Sequence, residues 1–236
     1  MNPTQIDSTT KEANEVKPTP PDGTALLPAE VPLVFHWFAK AYMKLAGWKV
    51  IGYVPDVPKM IVVAGPHTAN RDGFMLIMTA WILRVRLDWM VKAELIKGPW
   101  GWALKKIGAV PIDRSRKNDR VKQAVENFIK RDKMLLVIAP EGTRQKTDHW
   151  KTGFYRIAMK AGVPLFFSRL DYKRKVVDLT DGLFYPTGDI EADIEYIWSV
   201  YREIGARFPE KVSDMRLRPR DIRQDHSADV DADDSE

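Results

Sequence analysis

Two uninterrupted apolar runs, at residues 60–64 and 134–139, interrupt the alternation of apolar and polar positions along the chain. Runs of this length are typical of strands that are buried on both faces of a sheet. Segments with helical spacing of their apolar residues alternate with these and other strand-like segments. The predicted strands are residues 49–54, 60–64, 87–91, 109–112, 134–139, 163–170 and 175–179, and the predicted helices are residues 31–45, 74–86, 99–107, 118–130, 154–160 and 190–208.

Strands that alternate with helices predict an α/β fold. We expect a single domain, residues 29–218, in which a mixed, mostly parallel sheet is flanked by helices and an amphipathic helix lies at the N-terminal end. Residues 1–28 are polar and rich in proline, and residues 219–236 form an acidic tail, so both segments are predicted to be disordered. The pattern does not reveal the order of the strands.

The net charge is +5, although the residues from Asp221 to Glu236 include seven acidic side chains and one arginine. The body of the chain is therefore basic, which indicates an anionic partner: a phosphate, a phospholipid surface, an acidic carrier protein or a nucleic acid. Because the chain has no cysteine, disulfides, thiolate metal sites and a cysteine nucleophile are excluded. No secretory signal and no run of about 18 apolar residues is present, so we expect any membrane contact to be peripheral.

His67 and Asp72 form the first candidate for chemistry, with the spacing His-x4-Asp. They follow the apolar run 60–64 and a Gly65-Pro66 turn, where sites are often built in α/β sheets. If Asp72 lies in the first turn of the next helix, its carboxylate can orient the His67 imidazole as a general base for a hydroxyl group. The alternative is a helix-capping Asp72 near an unrelated histidine.

Polar residues also follow the strand 134–139, in the sequence Glu141-Gly142-Thr143-Arg144. The Arg144 guanidinium suits a phosphate or carboxylate, and Gly142 permits close approach of a ligand to the backbone. Glu141 could hold the arginine or orient an acceptor. The alternative is a polar turn with a surface ion pair.

A third polar set follows the strand 109–112. Arg114 would be a second phosphate ligand, with Arg116 and Lys117 adding positive potential; the alternative is a solvated basic turn.

Taken in order, these motifs resemble those of the glycerolipid acyltransferases, the PlsC-like family that includes 1-acylglycerol-3-phosphate acyltransferase. The segment Val163-Pro164-Leu165 resembles the fourth motif of that family. The chain departs from the family pattern at Pro66, where many members have Asn, and at residues 166–168, which lack a second proline.

The resemblance implies transfer of a fatty acyl group from acyl-CoA or acyl-carrier protein to a hydroxyl of a lysophospholipid such as 1-acylglycerol-3-phosphate. It implies that His67 and Asp72 are catalytic and that substrate is bound by Arg114, Glu141, Gly142, Thr143 and Arg144. We expect no metal and no cofactor other than the acyl carrier. The alternatives are a non-catalytic phosphate- or lipid-binding protein and a lipid esterase. No nucleic-acid partner is expected, because the basic residues accompany no recognition motif.

Aromatic and basic residues in two stretches suit a membrane interface, which predicts a cytoplasmic protein held peripherally on the inner face of the cell membrane. The first stretch includes Trp37, Tyr42 and Trp48 with nearby lysines, and the second includes Trp81, Trp89, Trp100 and Trp102. The alternative is that these aromatic side chains fill the core. His36 is expected to pack in its helix and His149 to have a loop role; neither is a predicted base.

Overall fold

The computed structural model describes residues 30–98, 101–113, 119–218 and 221, and the predicted disordered segments lie outside these ranges except for Asp221. Asp221 is buried and accepts a 2.8 Å hydrogen bond from Arg218. Within the described ranges, one sheet contains eight strands. Their bounds are β1 Lys49–Gly52, β2 Lys59–Gly65, β3 Asp88–Lys92, β4 Ala109–Ile112, β5 Met134–Ile138, β6 Leu165–Asp171, β7 Val176–Leu179 and β8 Leu183–Phe184.

The strand order is β1-β7-β6-β2-β5-β3-β4, with β8 also paired to β6. Strand β2 lies at the centre and is parallel to both neighbours, β5 and β6. Strand β3 is parallel to β5 and to β4, whereas β7 and β8 are antiparallel to β6. The carboxyl ends of β2, β3, β4, β5 and β6 therefore meet at one edge of the sheet, where α/β proteins build their sites.

Helices cover both faces of this sheet. The helices are α1 Leu33–Leu45, α2 Asn70–Ile82, α3 Ala93–Lys97, α4 Gly101–Lys106, α5 Asp119–Lys130, α6 Gly153–Ala161 and α7 Ile190–Tyr201, and a 3-10 turn follows at Pro209–Lys211. Successive residues of β2 alternate between two cores: Met60 packs with α1 and α2, whereas Ile61 packs with α5, α6 and α7. This two-sided burial explains the uninterrupted apolar runs and confirms the predicted α/β fold with a mostly parallel sheet.

Several predicted boundaries are wrong. Helix α2 begins at Asn70, four residues before its predicted start, because its polar first turn carries no apolar signal and Asp72 accepts backbone hydrogen bonds there. Helix α7 ends at Tyr201 rather than at 208. Beyond it Gly205 packs so closely against Lys173 that a Cβ atom would lie 2.7 Å from the lysine Cβ. The short elements α3 and β8 were not predicted.

Candidate active site

His67 and Asp72 lie beside the carboxyl end of the central strand. His67 follows β2 after the cis Gly65–Pro66 peptide, and Asp72 lies in the first turn of α2. The His67 Nδ1 atom is 3.5 Å from Asp72 Oδ2, and the side chains are 27% and 5% exposed, respectively. The carboxylate is therefore behind the imidazole, and the opposite ring nitrogen, Nε2, remains available to a substrate.

Asp72 accepts three further hydrogen bonds. Its Oδ2 atom accepts from the backbone amides of Thr68 at 2.6 Å and Ala69 at 2.7 Å, and Oδ1 accepts from the Tyr172 hydroxyl at 2.7 Å. Burial raises the pKa of Asp72, but the hydrogen bonds from His67, Tyr172 and the two amides outweigh burial and hold the pKa below its ordinary value. The Asp72 carboxylate caps the first turn of α2 and also contacts the His67 ring. The two interpretations of Asp72 are therefore compatible.

Glu141 lies beneath the His67 loop. Its Oε1 atom accepts a 3.0 Å hydrogen bond from the His67 backbone amide, and the residue is only 2% exposed. Burial raises the pKa of Glu141 more than the hydrogen bond from the His67 amide lowers it. The other oxygen, Oε2, is buried without a hydrogen-bond partner among the described residues. The Glu141 carboxylate therefore faces the protein interior and the His67 loop, and a contact of Glu141 with substrate stays a prediction.

Arg144 lies on the solvent side of the same loop. Its Nη1 atom donates a hydrogen bond to the side-chain oxygen of Asn70, which links the loop after β5 to the start of α2. Gly142 has φ +63°, a left-handed backbone conformation that favours glycine, and it lies directly against the Lys151 side chain. Arg114, the second predicted phosphate ligand, lies outside the described residues.

Two cavities meet at His67. The first, here called the apolar cavity, has a volume of about 300 Å³ and runs between α2 and the sheet. Its walls include Leu76, Ile77, Leu87, Leu170 and Val177. The second, here called the basic cavity, has a volume of about 740 Å³. Its walls include Arg120, Gly142, Thr143, Arg144 and Lys151. His67, Trp89, Val137 and Ala139 line both cavities.

An apolar environment and a basic environment therefore meet at the His67 imidazole. A hydrocarbon chain would lose contact with water in the apolar cavity, and an anionic group would meet guanidinium and ammonium groups in the basic cavity. His67 and Arg144, which are distant in sequence, line the same cavity. The structure therefore brings together His67, Asp72 and the Gly142-Thr143-Arg144 segment, as predicted.

Sequence reasoning missed several residues of this site. Tyr172 comes directly after β6, so the rule that polar residues follow strand ends would have identified it. Trp89 was assigned to a possible membrane patch but lines both cavities. Lys151 and Arg120 carry no local signal that separates them from ordinary surface cations. Arg120 reaches the basic cavity from α5, and Lys151 reaches it from the loop before α6.

The remaining described histidines lie elsewhere. His36 packs between helices, with its Nδ1 atom 2.8 Å from the Ile82 carbonyl oxygen. His149 lies beside the Asp148 carboxylate in the loop before α6. Neither lines the apolar cavity or the basic cavity, which agrees with their expected packing and loop roles.

Helix α1 exposes most of its apolar side chains. Its buried residues are Ala39 and Met43, whereas Trp37 is 61% exposed and Phe38 is 54% exposed. Trp48, predicted to lie at an interface, is instead buried in the core and packs edge-on against Tyr172. Among the helices in the described ranges, none has the length and apolar character needed to cross a bilayer.

Known proteins share this sequence pattern and fold. The profile of a protein family described as Acyltransferase matches residues 49–166, which is half of the chain. The crystal structure of the 1-acyl-sn-glycerophosphate (LPA) acyltransferase PlsC from Thermotoga maritima is similar in fold, with a TM-score of 0.50 and 22% sequence identity. The similarity covers 72% of this chain and 76% of that chain. No curated protein sequence matches the chain.

Proposed function

The chain belongs to the Acyltransferase family, and we propose that it transfers a fatty acyl group from acyl-CoA or acyl-carrier protein to a hydroxyl of a lysophospholipid such as 1-acylglycerol-3-phosphate. One observation carries the proposal: the imidazole of His67, backed by Asp72, lies where the apolar cavity meets the basic cavity. A lysophospholipid and a thioester together contain the three groups that this position can serve: a hydrocarbon chain, a phosphate and a hydroxyl.

In the proposed reaction, His67 is the general base. Its Nε2 atom removes the proton of the acceptor hydroxyl as that oxygen attacks the thioester carbonyl carbon. The carbon–sulfur bond then breaks, and the departing thiolate takes the proton from the imidazolium. Asp72 holds the Nδ1 edge of the ring and stabilises the imidazolium that forms. General-base catalysis by a positioned histidine typically contributes about 10²–10⁴-fold in rate. The transfer as written requires neither a metal nor a cofactor.

The basic cavity supports a phosphorylated acceptor. Arg144, Lys151 and Arg120 line it together with His67. A charge-assisted hydrogen bond from such a residue to phosphate contributes about 1.5–3 kcal/mol. We propose Arg144 as the principal ligand, with Arg114 as a second one. The name of the similar Thermotoga maritima enzyme, a 1-acyl-sn-glycerophosphate acyltransferase, agrees with an acceptor of this class.

We also propose that the protein works on the inner face of the cell membrane as a peripheral, cytoplasmic protein. The exposed aromatic and aliphatic side chains of α1 would enter the interface, while Lys40 and Lys44 on the same helix would meet anionic headgroups. Ile77 supports this orientation, because it lines the apolar cavity and is itself partly exposed beside α1. A lipid chain could thus pass from the bilayer to the cavity.

The proposal is tested by product analysis with labelled acyl-CoA and labelled acyl-carrier protein, each supplied with a panel of lysophospholipids. We expect a diacyl product from at least one phosphate-bearing acceptor, and a loss of about 10²–10⁴-fold in His67→Ala. His149→Ala is the matched control and should keep wild-type turnover. Full activity of His67→Ala would remove the general base from the mechanism, and release of free fatty acid without a transfer product would indicate a hydrolase.

A further inference from the structure

Tyr172 contacts Asp72 of the proposed catalytic pair but lines neither cavity. It is the first residue after β6, and its hydroxyl donates a 2.7 Å hydrogen bond to Asp72 Oδ1. Among the described residues, this phenol is the only donor to Oδ1, whereas Oδ2 faces His67 and two backbone amides. The two carboxylate oxygens of Asp72 therefore have separate partners, and the Tyr172 hydroxyl is the partner of Oδ1.

The phenol ring is itself held on several sides. It packs edge-on against Trp48, with ring centroids 4.9 Å apart, and the Tyr172 amide donates a 2.7 Å hydrogen bond to the Gly205 carbonyl. The guanidinium of Arg207 lies over the ring, 5.8 Å from its centroid. A tyrosine fixed in this way presents its hydroxyl to Asp72 at a defined position, so the hydrogen bond costs little additional ordering.

We infer that Tyr172 is a positioning residue for acyl transfer: its hydroxyl fixes the plane of the Asp72 carboxylate and draws negative charge away from the oxygen that faces His67. The inference rests on the proposed function of His67 as the base. Tyr172 lies outside the range that the family profile matches, residues 49–166.

The hydroxyl remains a donor over the working pH range. Burial raises the pKa of Tyr172, and the neighbouring Asp72 carboxylate raises it further, which together outweigh the Arg207 guanidinium. The phenol is therefore neutral wherever Asp72 is ionised. Replacing Tyr172 by phenylalanine removes the hydrogen bond that the hydroxyl donates to Asp72 and the one that it accepts from Arg207. The ring contacts with Trp48 and Arg207 do not require the oxygen.

Loss of the hydroxyl has a defined effect on protonation. With one donor removed, more negative charge remains on Asp72 and favours the imidazolium form of His67. Because the base must be neutral to accept a proton, the acid limb of kcat/KM should move to higher pH. Other charged groups face the pair from other elements: Glu141 after β5, Arg207 after α7, and Arg120, Arg144 and Lys151 around the basic cavity. All of these remain in Tyr172→Phe, so the shift would report the hydroxyl.

The experiment compares Tyr172→Phe with Tyr155→Phe. Tyr155 is also buried and donates a 2.8 Å hydrogen bond to a buried aspartate, Asp193, but it lies outside both cavities. In Tyr172→Phe we expect kcat to fall about tenfold or more, KM to change less than about threefold, and the acid limb to rise by about half a pH unit or more. Tyr155→Phe should lose comparable stability without moving the acid limb.

A second readout separates this inference from the proposed function. The His67 ring is followed by NMR titration, with its signals assigned by comparison with His67→Ala. A shift of its titration to higher pH in Tyr172→Phe supports the inference even if no acceptor in the panel is acylated. An unchanged titration, or an unchanged acid limb in an active enzyme, overturns it. If Tyr172→Phe fails to fold, Tyr172→3-fluorotyrosine replaces it, because its more acidic phenol is a stronger donor to Asp72 while every charged side chain is kept. The His67 titration should then move to lower pH; no movement there overturns the inference.

Discussion

The backbone amide of His67 donates a 3.0 Å hydrogen bond to Oε1 of Glu141, a carboxyl group that is almost completely buried. This bond joins the loops that follow the adjacent parallel strands β2 and β5. It holds the His67 loop in place above the sheet from a buried position. The acidic residue of the Glu-Gly-Thr-Arg motif thus contacts His67 through its backbone amide, while the arginine lines the basic cavity.

This placement predicts an unusual pH dependence of stability for Glu141→Gln. Burial raises the pKa of Glu141 above its ordinary value of 4.5, so the native state holds a proton that the unfolded state has lost. The contribution of Glu141 is complete below pH 4.5 and is lost as the pH rises through the raised pKa. We therefore expect the free energy of unfolding of Glu141→Gln, relative to wild type, to increase from pH 4 to pH 8.

Urea denaturation at several pH values measures this difference. The amide oxygen of glutamine can still accept the His67 hydrogen bond, so the fold of the loop should be retained. Glu195→Gln is the matched control, because Glu195 is exposed and pairs with Arg202 on the surface of α7. If the free energy of unfolding relative to wild type does not change with pH for either variant, burial does not raise the pKa of Glu141.

The His67–Asp72 pair and the α/β class were predictable because both depend on local pattern. The sequence motifs identified the family, and the match of the family profile confirms it. The role of Glu141 was not predictable, because a polar residue after a strand can face the cavity or the interior, and only packing decides. Tyr172 could have been identified as a polar residue that follows β6. Its hydrogen bond to Asp72, 100 positions away, could not, because it depends on a strand order that the apolar pattern does not encode.

Arg144→Gln should weaken binding of phosphate-bearing acceptors. Arg144 lines the basic cavity with His67, and its hydrogen bond to Asn70 orients the guanidinium. Removing a charge-assisted hydrogen bond that contributes about 1.5–3 kcal/mol should raise the acceptor KM about 10–100-fold with a smaller change in kcat. Arg144→Lys should recover only part of the loss, because an ammonium cannot donate in two parallel bonds.

Steady-state kinetics with varied acceptor concentration distinguish these outcomes. Arg202→Gln is the control for loss of an exposed arginine, since Arg202 pairs with Glu195 away from both cavities. An equal KM for phosphorylated and unphosphorylated lysolipids in wild type, or an unchanged KM in Arg144→Gln, would contradict the assignment of Arg144 as the phosphate ligand.

Leu76→Phe should shift the acyl preference towards shorter chains. Leu76 lines the apolar cavity and also the small cavity that continues it beneath α2. A larger ring there would block the inner end, and each buried methylene that is excluded costs about 0.8 kcal/mol. Excluding two or three methylenes should lower kcat/KM for long-chain donors about 10–50-fold, with little change for short-chain donors.

Competition between donors of different chain length measures this preference in one reaction. Leu95→Phe serves as the control, because Leu95 is exposed on α3 and lines neither cavity. A fall of equal size for every chain length, in a variant that unfolds at the same urea concentration as wild type, would remove the apolar cavity as the acyl site.

Replacing Trp37 and Phe38 together by serine should release the protein from anionic vesicles. Both side chains are largely exposed on α1, so the substitutions leave the core unchanged. Burying a large apolar side chain contributes about 1.5–3 kcal/mol, so losing two should lower vesicle partitioning by at least about tenfold. Nearby lysines add about 1 kcal/mol each at an anionic surface, so binding of the wild type should also weaken with salt.

Vesicle flotation is compared with turnover on detergent-dispersed substrate, which should be unchanged. Tyr185→Ser removes an exposed aromatic ring after β8 and should float like wild type; equal flotation of the α1 variant would exclude α1 as the membrane contact.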